Sequence, residues 1–501
     1  MAEDKNKRDV RKDKPATGIA GLDDVLNGGP ARGRMFLLEG DPGTGKTTIA
    51  LQFLLTGAAA GERGLYVTMS ETEPELRSSA QSHGWALDDI ELFELVPPET
   101  LIDEDQQQSL LYSSDLELGE TTRRIFEAFE RTKPDRIVID SLSEIRLLAQ
   151  SSLRYRRQIL AMKHFFVQRE ATVLMLDDLT TEVADRSVHS IAHGVIHLEE
   201  LAPEYGPDRR RLRVIKYRGS PFRGGYHDFV IETGGVRVFP RLVSAEHRRE
   251  FKRDLLKTDN VEFNALLGGG VERGSSVLIL GPAGAGKSVL ALAFVANAVA
   301  RGERVAMFVF DEELGLLVDR SLGFGIDLAA LQASGNLRLS QIDAAELTPG
   351  EFSWRVRDSI ERFGAKTVVI DSLTGYQAAM PEERALVLHM HELLQFCNRH
   401  GATTFLTVAQ HGLMGDMKAP VDLTYLADTV ILLRYFEAVG QVRRAISVVK
   451  KRTSAHENTI REYRMHRGGI SLGEPLVHFH GVLKGVPQLM SAPPARARRR
   501  K

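Results

Sequence analysis

The feature that most constrains this chain is a phosphate-binding loop that occurs twice. The first copy, GDPGTGKT, runs from Gly40 to Thr47, and the second, GPAGAGKS, runs from Gly281 to Ser288. Each copy matches GxxxxGK[ST] and lies between a short apolar run, which predicts a buried strand, and a helix-length apolar stretch that ends at a glycine. The loop amides and the helix N-terminus both favour an anion. We therefore expect two nucleoside triphosphate sites in one polypeptide.

The similarity between the two halves extends well beyond the loops. Lys46 and Lys287 lie 241 residues apart, and the same separation relates three further pairs, Thr17 with Thr258, Gly61 with Gly302 and Glu71 with Glu312. RIVIDSL and TVVIDSL follow, with Asp140 and Asp371 separated by 231 residues, so the first half has ten additional residues before this point. IKYRGS and VKKRTS complete the series. Matched residues that occur in the same order in both halves, at nearly the same separation, indicate a duplicated domain.

The length of 501 residues suits two domains, and strands that alternate with helices predict α/β domains. We predict two tandem P-loop NTPase domains, each a mostly parallel sheet flanked by helices. The predicted organisation is a disordered leader (1–14), a first ATPase domain (15–243), a linker (244–257), a second ATPase domain (258–487) and a basic disordered tail (488–501).

The composition excludes several classes of protein. The formal net charge is −2, which makes nucleic acid an unlikely partner by electrostatics. The single cysteine, Cys397, rules out an intramolecular disulfide and a cysteine-cluster zinc site, and its helical context predicts a buried thiol. No apolar run approaches the roughly 20 residues that span a bilayer, and the charged N-terminus has no apolar core, so we expect no membrane and a cytoplasmic protein.

The loops predict the residues that contact ATP and Mg²⁺. The lysine reaches the β- and γ-phosphates, the hydroxyl after it ligates Mg²⁺, and a strand-end aspartate orients the water shell of the ion. The predicted nucleotide contacts are Gly40, Gly43, Thr44, Gly45, Lys46, Thr47 and Thr48 in the first half, and Gly281, Gly284, Ala285, Gly286, Lys287, Ser288 and Val289 in the second. The predicted metal-site residues are Thr47, Asp140, Ser288 and Asp371.

Hydrolysis also needs a group that orients or deprotonates the attacking water. The candidates follow the next strand at matched distances from the loop lysines: Glu71 in the first half, Asp311 and Glu312 in the second.

Two basic pairs, Lys216 with Arg218 and Lys450 with Arg452, lie late in each half on predicted strand ends. Because alternate residues of a strand share a face, each pair can reach one anion. If they are functional, they should act on the phosphates of a neighbouring subunit, which requires a ring.

In these motifs, over roughly residues 15–487, the chain resembles the KaiC family of circadian clock proteins, within the RecA-like ATPases. ADTVILLRY (427–435) and KKRTSAHENTIREY (450–463) resemble the signature of the family's second domain. The resemblance implies a homohexamer built as a double ring with ATP between subunits, and slow hydrolysis in the first ring. It also implies serine/threonine autokinase and autophosphatase activity in the second ring, and partners of the KaiA and KaiB type. It carries the interfacial nucleotide contacts over to Lys216, Arg218, Lys450 and Arg452.

The chain departs from the family pattern at several positions. Ser70 replaces the first of a pair of catalytic glutamates, so Glu71 must be the base or hydrolysis in the first domain is weak, and Asp311 keeps a shorter carboxylate. The phosphoacceptors, serine then threonine in the family, align with Thr424 and Tyr425, so the familiar two-step cycle cannot run here.

The first half has His189 and Ser190 at the place of the acceptors, and we assign no role to them. The short basic end replaces the tail that recruits a KaiA-type activator, so we do not expect activator dependence.

Three functions remain open on the sequence. The first is a KaiC-like hexameric ATPase, with possible autokinase activity, that works as a timing or signalling switch. The second is a RecA-like DNA-dependent ATPase, which salt-sensitive binding of single-stranded DNA would support. The third is an ATP sensor that assembles without turnover, a role that Ser70 favours.

Overall fold

The computed structural model describes residues 14–95, 110–179, 187–203, 206–246, 250–377, 380, 383–410, 423–484 and 488–489. The predicted leader, apart from Lys14, and tail residues 490–501 lie outside the described residues. The chain divides into two compact units, Met1–Arg241 and Leu242–Lys501. None of the helices in the described ranges is long and apolar enough to cross a membrane.

The first unit alternates strands and helices and then continues with strands alone. Its strands are β1 (Met35–Gly40), β2 (Gly64–Thr68), β3 (Ile90–Glu94), β4 (Arg136–Asp140), β5 (Thr172–Asp178), β6 (Gly194–Leu201), β7 (Arg209–Tyr217), β8 (His227–Glu232) and β9 (Gly235–Phe239). Its helices are α1 (Leu22–Val25), α2 (Lys46–Ala59), α3 (Glu73–Ser82), α4 (Leu110–Thr132), α5 (Leu142–Ala149), α6 (Ser152–Gln168) and α7 (Ser187–Ile191).

The second unit also alternates strands and helices before a run of strands, and it has additional short elements. Its strands are β10 (Leu255–Leu256), β11 (Val271–Glu272), β12 (Ser276–Gly281), β13 (Val305–Val309), β14 (Leu337–Gln341), β15 (Thr367–Asp371), β16 (Thr403–Ala409), β17 (Thr429–Ala438), β18 (Gln441–Lys451), β19 (Arg461–His466), β20 (Gly469–Pro475), β21 (Phe479–His480) and β22 (Gln488–Leu489). Its helices are α8 (Val261–Leu266), α9 (Lys287–Ala300), α10 (Leu314–Gly323), α11 (Leu328–Ala333), α12 (Pro349–Glu361), α13 (Leu373–Gln377) and α14 (Glu383–Arg399), with 3₁₀ turns at Ser244–Glu246 and Val482–Lys484.

The main sheets of the two units have the same topology. Over the described residues, the first sheet has the order β3-β2-β4-β5-β1-β6-β7-β8-β9 and the second has β14-β13-β15-β16-β12-β17-β18-β19-β20. The pairs from β3 to β6, and from β14 to β17, are parallel, and the remaining pairs are antiparallel. The predicted fold class, two tandem α/β domains with mostly parallel sheets, is therefore confirmed.

The apolar run before each loop forms a strand with both faces buried. In β1, Phe36 and Leu38 join one apolar cluster, whereas Met35 and Leu37 join another on the opposite face. The alternate residues of β12 divide between two clusters in the same way. Helices cover both faces of such a strand, which is why its sequence is continuously apolar instead of alternating.

Each loop runs directly into its helix. Gly45 and Gly286 precede the loop lysines with φ angles of 95° and 94°, which a residue with a side chain rarely adopts. The helices α2 and α9 end at Ala59 and Ala300, and each is followed after one residue by a glycine with positive φ, as predicted.

Part of the predicted linker packs on the second unit. The amide of Ser244 donates to the carboxylate of Glu392 at 3.0 Å, and the guanidinium of Arg399 donates to the carbonyl of Ser244 at 2.8 Å. Close by on α14, Cys397 is fully buried, which confirms the expected burial of that thiol.

Candidate nucleotide sites

Both loops lie at the carboxyl edge of a parallel sheet. In the first unit β1 lies between β5 and β6, and in the second β12 lies between β16 and β17. At this edge of α/β sheets, residues that follow neighbouring strands meet, and ligands bind there. The topology therefore brings the strand-end carboxylates predicted from sequence to the phosphate-binding loops.

The first loop borders a cleft of about 390 Å³. Its lining residues are Pro42, Gly43, Gly45, Lys46, Thr47, Thr48, Ser70, Glu71, Ser79, Asp140, Asp178 and Ile231. A Cβ atom added at Gly43 would meet no heavy atom within 4 Å, so open space lies directly beside the loop backbone. The cleft thus joins the predicted phosphate loop to three carboxylates.

The ammonium group of Lys46 is held at the bottom of this cleft. It donates to the carbonyls of Gly40 and Asp41 at 2.7 and 2.8 Å, and it forms an ion pair of 2.7 Å with Asp178. Lys46 is only 7% exposed, and these three oxygen atoms hold its ammonium group in place. Asp178 was not among the predicted site residues, although it ends a strand beside that of Asp140.

Asp140 and Thr47, the predicted metal-site residues of the first domain, are linked by a tyrosine. The hydroxyl of Tyr66 donates to Asp140 at 2.5 Å and is also within hydrogen-bonding reach of the Thr47 side chain. Burial raises the pKa of Asp140; the hydrogen bond from Tyr66 opposes this shift, whereas the nearby charge of Asp178 adds to it. Tyr66 thus orients the carboxylate that would bind the water shell of Mg²⁺.

Glu71 is half-buried in the cleft, whereas Ser70 is exposed. Burial raises the pKa of Glu71, and the charges of Asp140, Glu75 and Asp178 raise it further. A carboxylate with a raised pKa is a better proton acceptor for water. The structure therefore brings Glu71, Asp140 and Lys46 together as predicted.

The second loop holds its lysine without an aspartate at the end of the neighbouring strand. Lys287 donates to the carbonyls of Gly281 and Pro282 at 3.0 and 2.9 Å. In the strand register, Gly281 pairs with Ala409, where Gly40 of the first domain pairs with Asp178. Burial lowers the pKa of Lys287, and the charges of Asp371 and Asp311 oppose that shift.

The acidic residues of the second site have different partners from those of the first. The hydroxyl of Thr407 donates to Asp371, in place of the tyrosine that serves Asp140. Ser372 donates to Asp311, whose carboxylate packs against Gly375. Thr407 was not predicted, because nothing local in the sequence links it to Asp371.

Glu312 is also close to the second site. Its carboxylate forms an ion pair of 2.7 Å with Arg320. Burial raises the pKa of Glu312; Arg320 lowers it, and Asp371 raises it.

Some predicted nucleotide contacts have side chains that point into the protein. Thr44 and Ala285 are fully buried, and Val289 is 5% exposed. At these positions only the backbone can serve a nucleotide. A Cβ at Gly45 would collide with Ile231, and one at Gly286 would collide with Met465, so a side chain closes each loop from the antiparallel part of the sheet.

The residues present fit a magnesium–nucleotide complex. Within the described ranges, no group of three or more His, Cys, Asp or Glu side chains is arranged to hold a metal ion alone. Mg²⁺ in phosphate sites usually takes one or two protein ligands and completes its shell with phosphate oxygens and water. One hydroxyl and one carboxylate beside each loop, Thr47 with Asp140 and Ser288 with Asp371, match that requirement.

The side chains of the first basic pair bind main-chain carbonyls of one nearby segment of their own domain. Lys216 donates to the carbonyls of His189 and Ala192, and Arg218 donates to that of Ser190 at 2.7 Å. Neither cation belongs to the lining of the first cleft. Lys216 and Arg218 therefore lie together, and neither lines the cleft of their own domain.

Comparisons with known proteins match nearly the whole chain. The family model described as ATPase: KaiC matches residues 15–243 and 256–477. The circadian clock protein KaiC3 of Synechocystis sp. is 28% identical over 485 residues, which cover 95% of this chain and 94% of that protein. The circadian clock oscillator proteins KaiC of Thermostichus vulcanus and Synechococcus elongatus are 28% and 26% identical, and each alignment covers 95% of this chain and 92% of the relative.

The chain belongs to the KaiC family of ATPases. Family membership confirms the predicted resemblance and supports a nucleotide-dependent ATPase with tandem domains.

The two candidate phosphoacceptors of this KaiC-family chain lie in a turn before β17. Lys450 donates to the carbonyl of Thr424 at 2.7 Å, and Arg452 donates to that of Tyr425 at 2.7 Å. Tyr425 is 52% exposed, whereas Thr424 is half-buried. The basic pair of the second domain is therefore in direct contact with the backbone of both candidates.

Proposed function

We propose that the chain is a KaiC-like ATPase that assembles as a homohexameric double ring and binds Mg²⁺-ATP at subunit boundaries in both domains. It hydrolyses ATP slowly in the first domain and transfers a phosphoryl group in the second. Changes of nucleotide state would then act as a timing or signalling switch for a protein partner of the KaiB type. The observation that carries this proposal is that each loop lysine lies near acidic residues, while the basic pair of the first domain, Lys216 and Arg218, does not line the cleft of that domain.

The first domain has the groups that hydrolysis requires. Lys46 and the loop amides bind the phosphates, and Asp140, held by Tyr66, orients the water shell of the metal. Bound Mg²⁺ neutralises charge on the phosphate oxygens. Glu71 accepts the proton of the attacking water, because its raised pKa makes it a better base than an ordinary glutamate.

Among the described residues that line the first cleft, Lys46 is the only cation that could stabilise charge on the transferred phosphoryl group. Lys216 and Arg218 have the chemistry for that role, and they are not part of the cleft of their own domain. A ring places the basic pair of one subunit at the nucleotide of the next. ATP then stabilises the assembled state by binding it preferentially.

The second domain has the groups for phosphoryl transfer to a hydroxyl. If Lys450 contacts the phosphates of a neighbour, then Thr424, whose carbonyl it binds, lies beside the same phosphates. Transfer forms a bond between the acceptor oxygen and the γ-phosphorus while the bond to the bridging oxygen of ATP breaks and ADP leaves. The hydroxyl proton passes to the carboxylate of Glu312 or Asp311 in the subunit that binds this ATP.

Two measurements on the full-length protein test this proposal. The first is particle mass with and without Mg²⁺-ATP, where we expect ATP-dependent hexamers; monomers under both conditions would contradict the ring. The second is phosphopeptide mass spectrometry after incubation with Mg²⁺-ATP, with Lys287→Ala as the control. We expect phosphate on Thr424 or Tyr425 that disappears in the control, and its absence would leave an ATPase switch without kinase activity.

The ATP sensor that assembles without turnover is the competing function, since the exposed Ser70 stands where the family has a carboxylate. A phosphate-release trace that stays flat for assembled hexamers would favour it.

A further inference from the structure

A buried carboxylate lies directly before the first loop. Glu39, the penultimate residue of β1, is 4% exposed. One carboxylate oxygen lies 2.6 Å from Nε2 of His189, and the other lies 3.1 Å from Nδ1 of His197. Burial would raise the pKa of Glu39, but the hydrogen bonds and charges of the two histidines hold it at about 2. The hydrolysis described above uses none of these three side chains.

The described residues of the second domain have no equivalent of this cluster. Glu39 pairs with His197 in the strand register, and Leu280 pairs with Leu432 at the same place in the second domain. His189 and Thr424 are equivalent because their carbonyls accept from Lys216 and Lys450, respectively. The second domain has the same sheet order without these side chains, so the fold does not need them.

His189 connects the loop strand to the basic pair. Its imidazole binds Glu39, whereas its carbonyl accepts from Lys216. It lies on α7, a helix of five residues, whose next carbonyl, that of Ser190, accepts from Arg218 at 2.7 Å. A short helix has little structure of its own, so its position depends on what its side chains contact.

The other end of the cluster reaches the loop lysine. Glu39 is adjacent to Gly40, whose carbonyl accepts from the ammonium of Lys46 at 2.7 Å. Contacts therefore run without interruption from Lys46, through β1 and His189, to Lys216 and Arg218. In the second domain, Leu280 and Thr424 interrupt the equivalent connection.

We propose that Glu39 and His189 are positioning residues that hold Lys216 and Arg218 in place for the ATP of the neighbouring subunit and tie them to the subunit's own loop. This inference rests on the proposed function, because it takes the basic pair to act on a neighbour's phosphates. A preorganised cation stabilises developing charge without the cost of reorientation. Val188 and Ile191 also anchor α7 in the core, so loss of the Glu39 contact should shift the position of both cations without releasing the helix.

The test replaces the cluster by the residues that the second domain has at the same places. The variant is Glu39→Leu with His189→Thr and His197→Leu, made in the full-length chain with Lys287→Ala so that phosphate release reports the first domain. Removing the three polar groups together leaves no buried charge unpaired, which favours normal folding. The matched control is Glu199→Gln, since Glu199 contacts His197 at 3.3 Å and is not a partner of Glu39.

We expect the triple variant to assemble with ATP and unfold at a temperature near that of the parent, with kcat lowered about tenfold and KM little changed. The control should behave like the parent. In a background of Lys216→Ala with Arg218→Ala, the triple replacement should have no further effect on kcat, because the cluster acts only through these cations. A purely structural role would lower activity equally in both backgrounds.

The outcomes separate the inference from the function on which it rests. If removal of both cations leaves phosphate release unchanged, the proposed action on a neighbour's ATP is wrong, and the inference fails with it. If removal of the cations lowers release but the triple variant does not, or lowers it equally in both backgrounds, only the inference is overturned.

Discussion

The two nucleotide sites share a fold and a loop but differ in the charge around the lysine. In the first site Lys46 forms an ion pair with Asp178, and the pKa of nearby Glu71 is raised. In the second site Ala409 replaces that aspartate, and Lys287 binds loop carbonyls. The two loops therefore share a backbone, and the side chains at the ends of the neighbouring strands differ. On the proposed function, the first site hydrolyses ATP and the second holds ATP for phosphoryl transfer.

The largest expected difference between the sites concerns the base. Glu71→Gln should lower phosphate release by about 100-fold in a Lys287→Ala background, because it removes the proton acceptor and keeps the shape. Glu312→Gln, the matched change in the second domain, should leave release by the first domain unchanged in the same background. A Glu71→Gln variant with full activity would show that another group activates water.

The hydroxyl donors to the metal-site aspartates provide a second comparison. Tyr66→Phe should raise the Mg²⁺ concentration needed for half-maximal turnover in the first domain about tenfold, because Asp140 loses the donor that orients it. Thr407→Val should raise the Mg²⁺ concentration needed for nucleotide binding in the second domain and have no effect on the first. The measurement is a Mg²⁺ titration with one lysine replaced at a time, and equal effects of either variant on both sites would contradict the assignment.

A swap of the strand-end aspartate sharpens the comparison of the two lysines. Asp178→Ala should tighten ATP binding in the first domain by about fivefold, since it frees Lys46 and removes a charge that repels phosphate. Ala409→Asp should weaken binding in the second domain by a similar factor. Titration with a fluorescent ATP analogue measures both, and weaker binding by Asp178→Ala would mean that Asp178 helps to hold the metal.

The smallest expected effect is a shift of the pH profile. Glu71 must be ionised to accept a proton, and burial together with Asp140, Glu75 and Asp178 raises its pKa above the ordinary 4.5. Turnover in the first domain should therefore fall as pH drops through a value above 4.5. Asp178→Ala should move this acid limb to lower pH, because loss of a nearby negative charge lowers the pKa of Glu71. An acid limb that does not respond to Asp178→Ala would argue against Glu71 as the titrating group.

The sequence predicts the parts of this molecule that depend on local pattern. The loops, the strands before them and the helices after them follow from glycine spacing and apolar runs. The internal repeat then predicts that the second half folds in the same way. The strand-end positions of Lys216 and Lys450 also follow from the pattern.

The contacts that distinguish the sites join residues far apart in the chain. Tyr66 and Asp140 are 74 residues apart, and Glu39 and His189 are 150 apart. Asp178 was within reach of prediction, because it ends a strand at the binding edge of the sheet. Thr407, His189 and His197 were not, since only the tertiary fold brings these residues beside partners that are distant in the sequence.

Phosphate release by full-length Lys46→Ala and Lys287→Ala tests the division between the two sites most directly. Both variants should be compared with the parent at saturating Mg²⁺-ATP, after the mass of each assembly has been measured. We predict that Lys46→Ala abolishes most of the release, whereas Lys287→Ala retains most of it and loses phosphate on Thr424 or Tyr425. Equal loss in both variants, or greater loss in Lys287→Ala, would contradict the assignment of hydrolysis to the first domain.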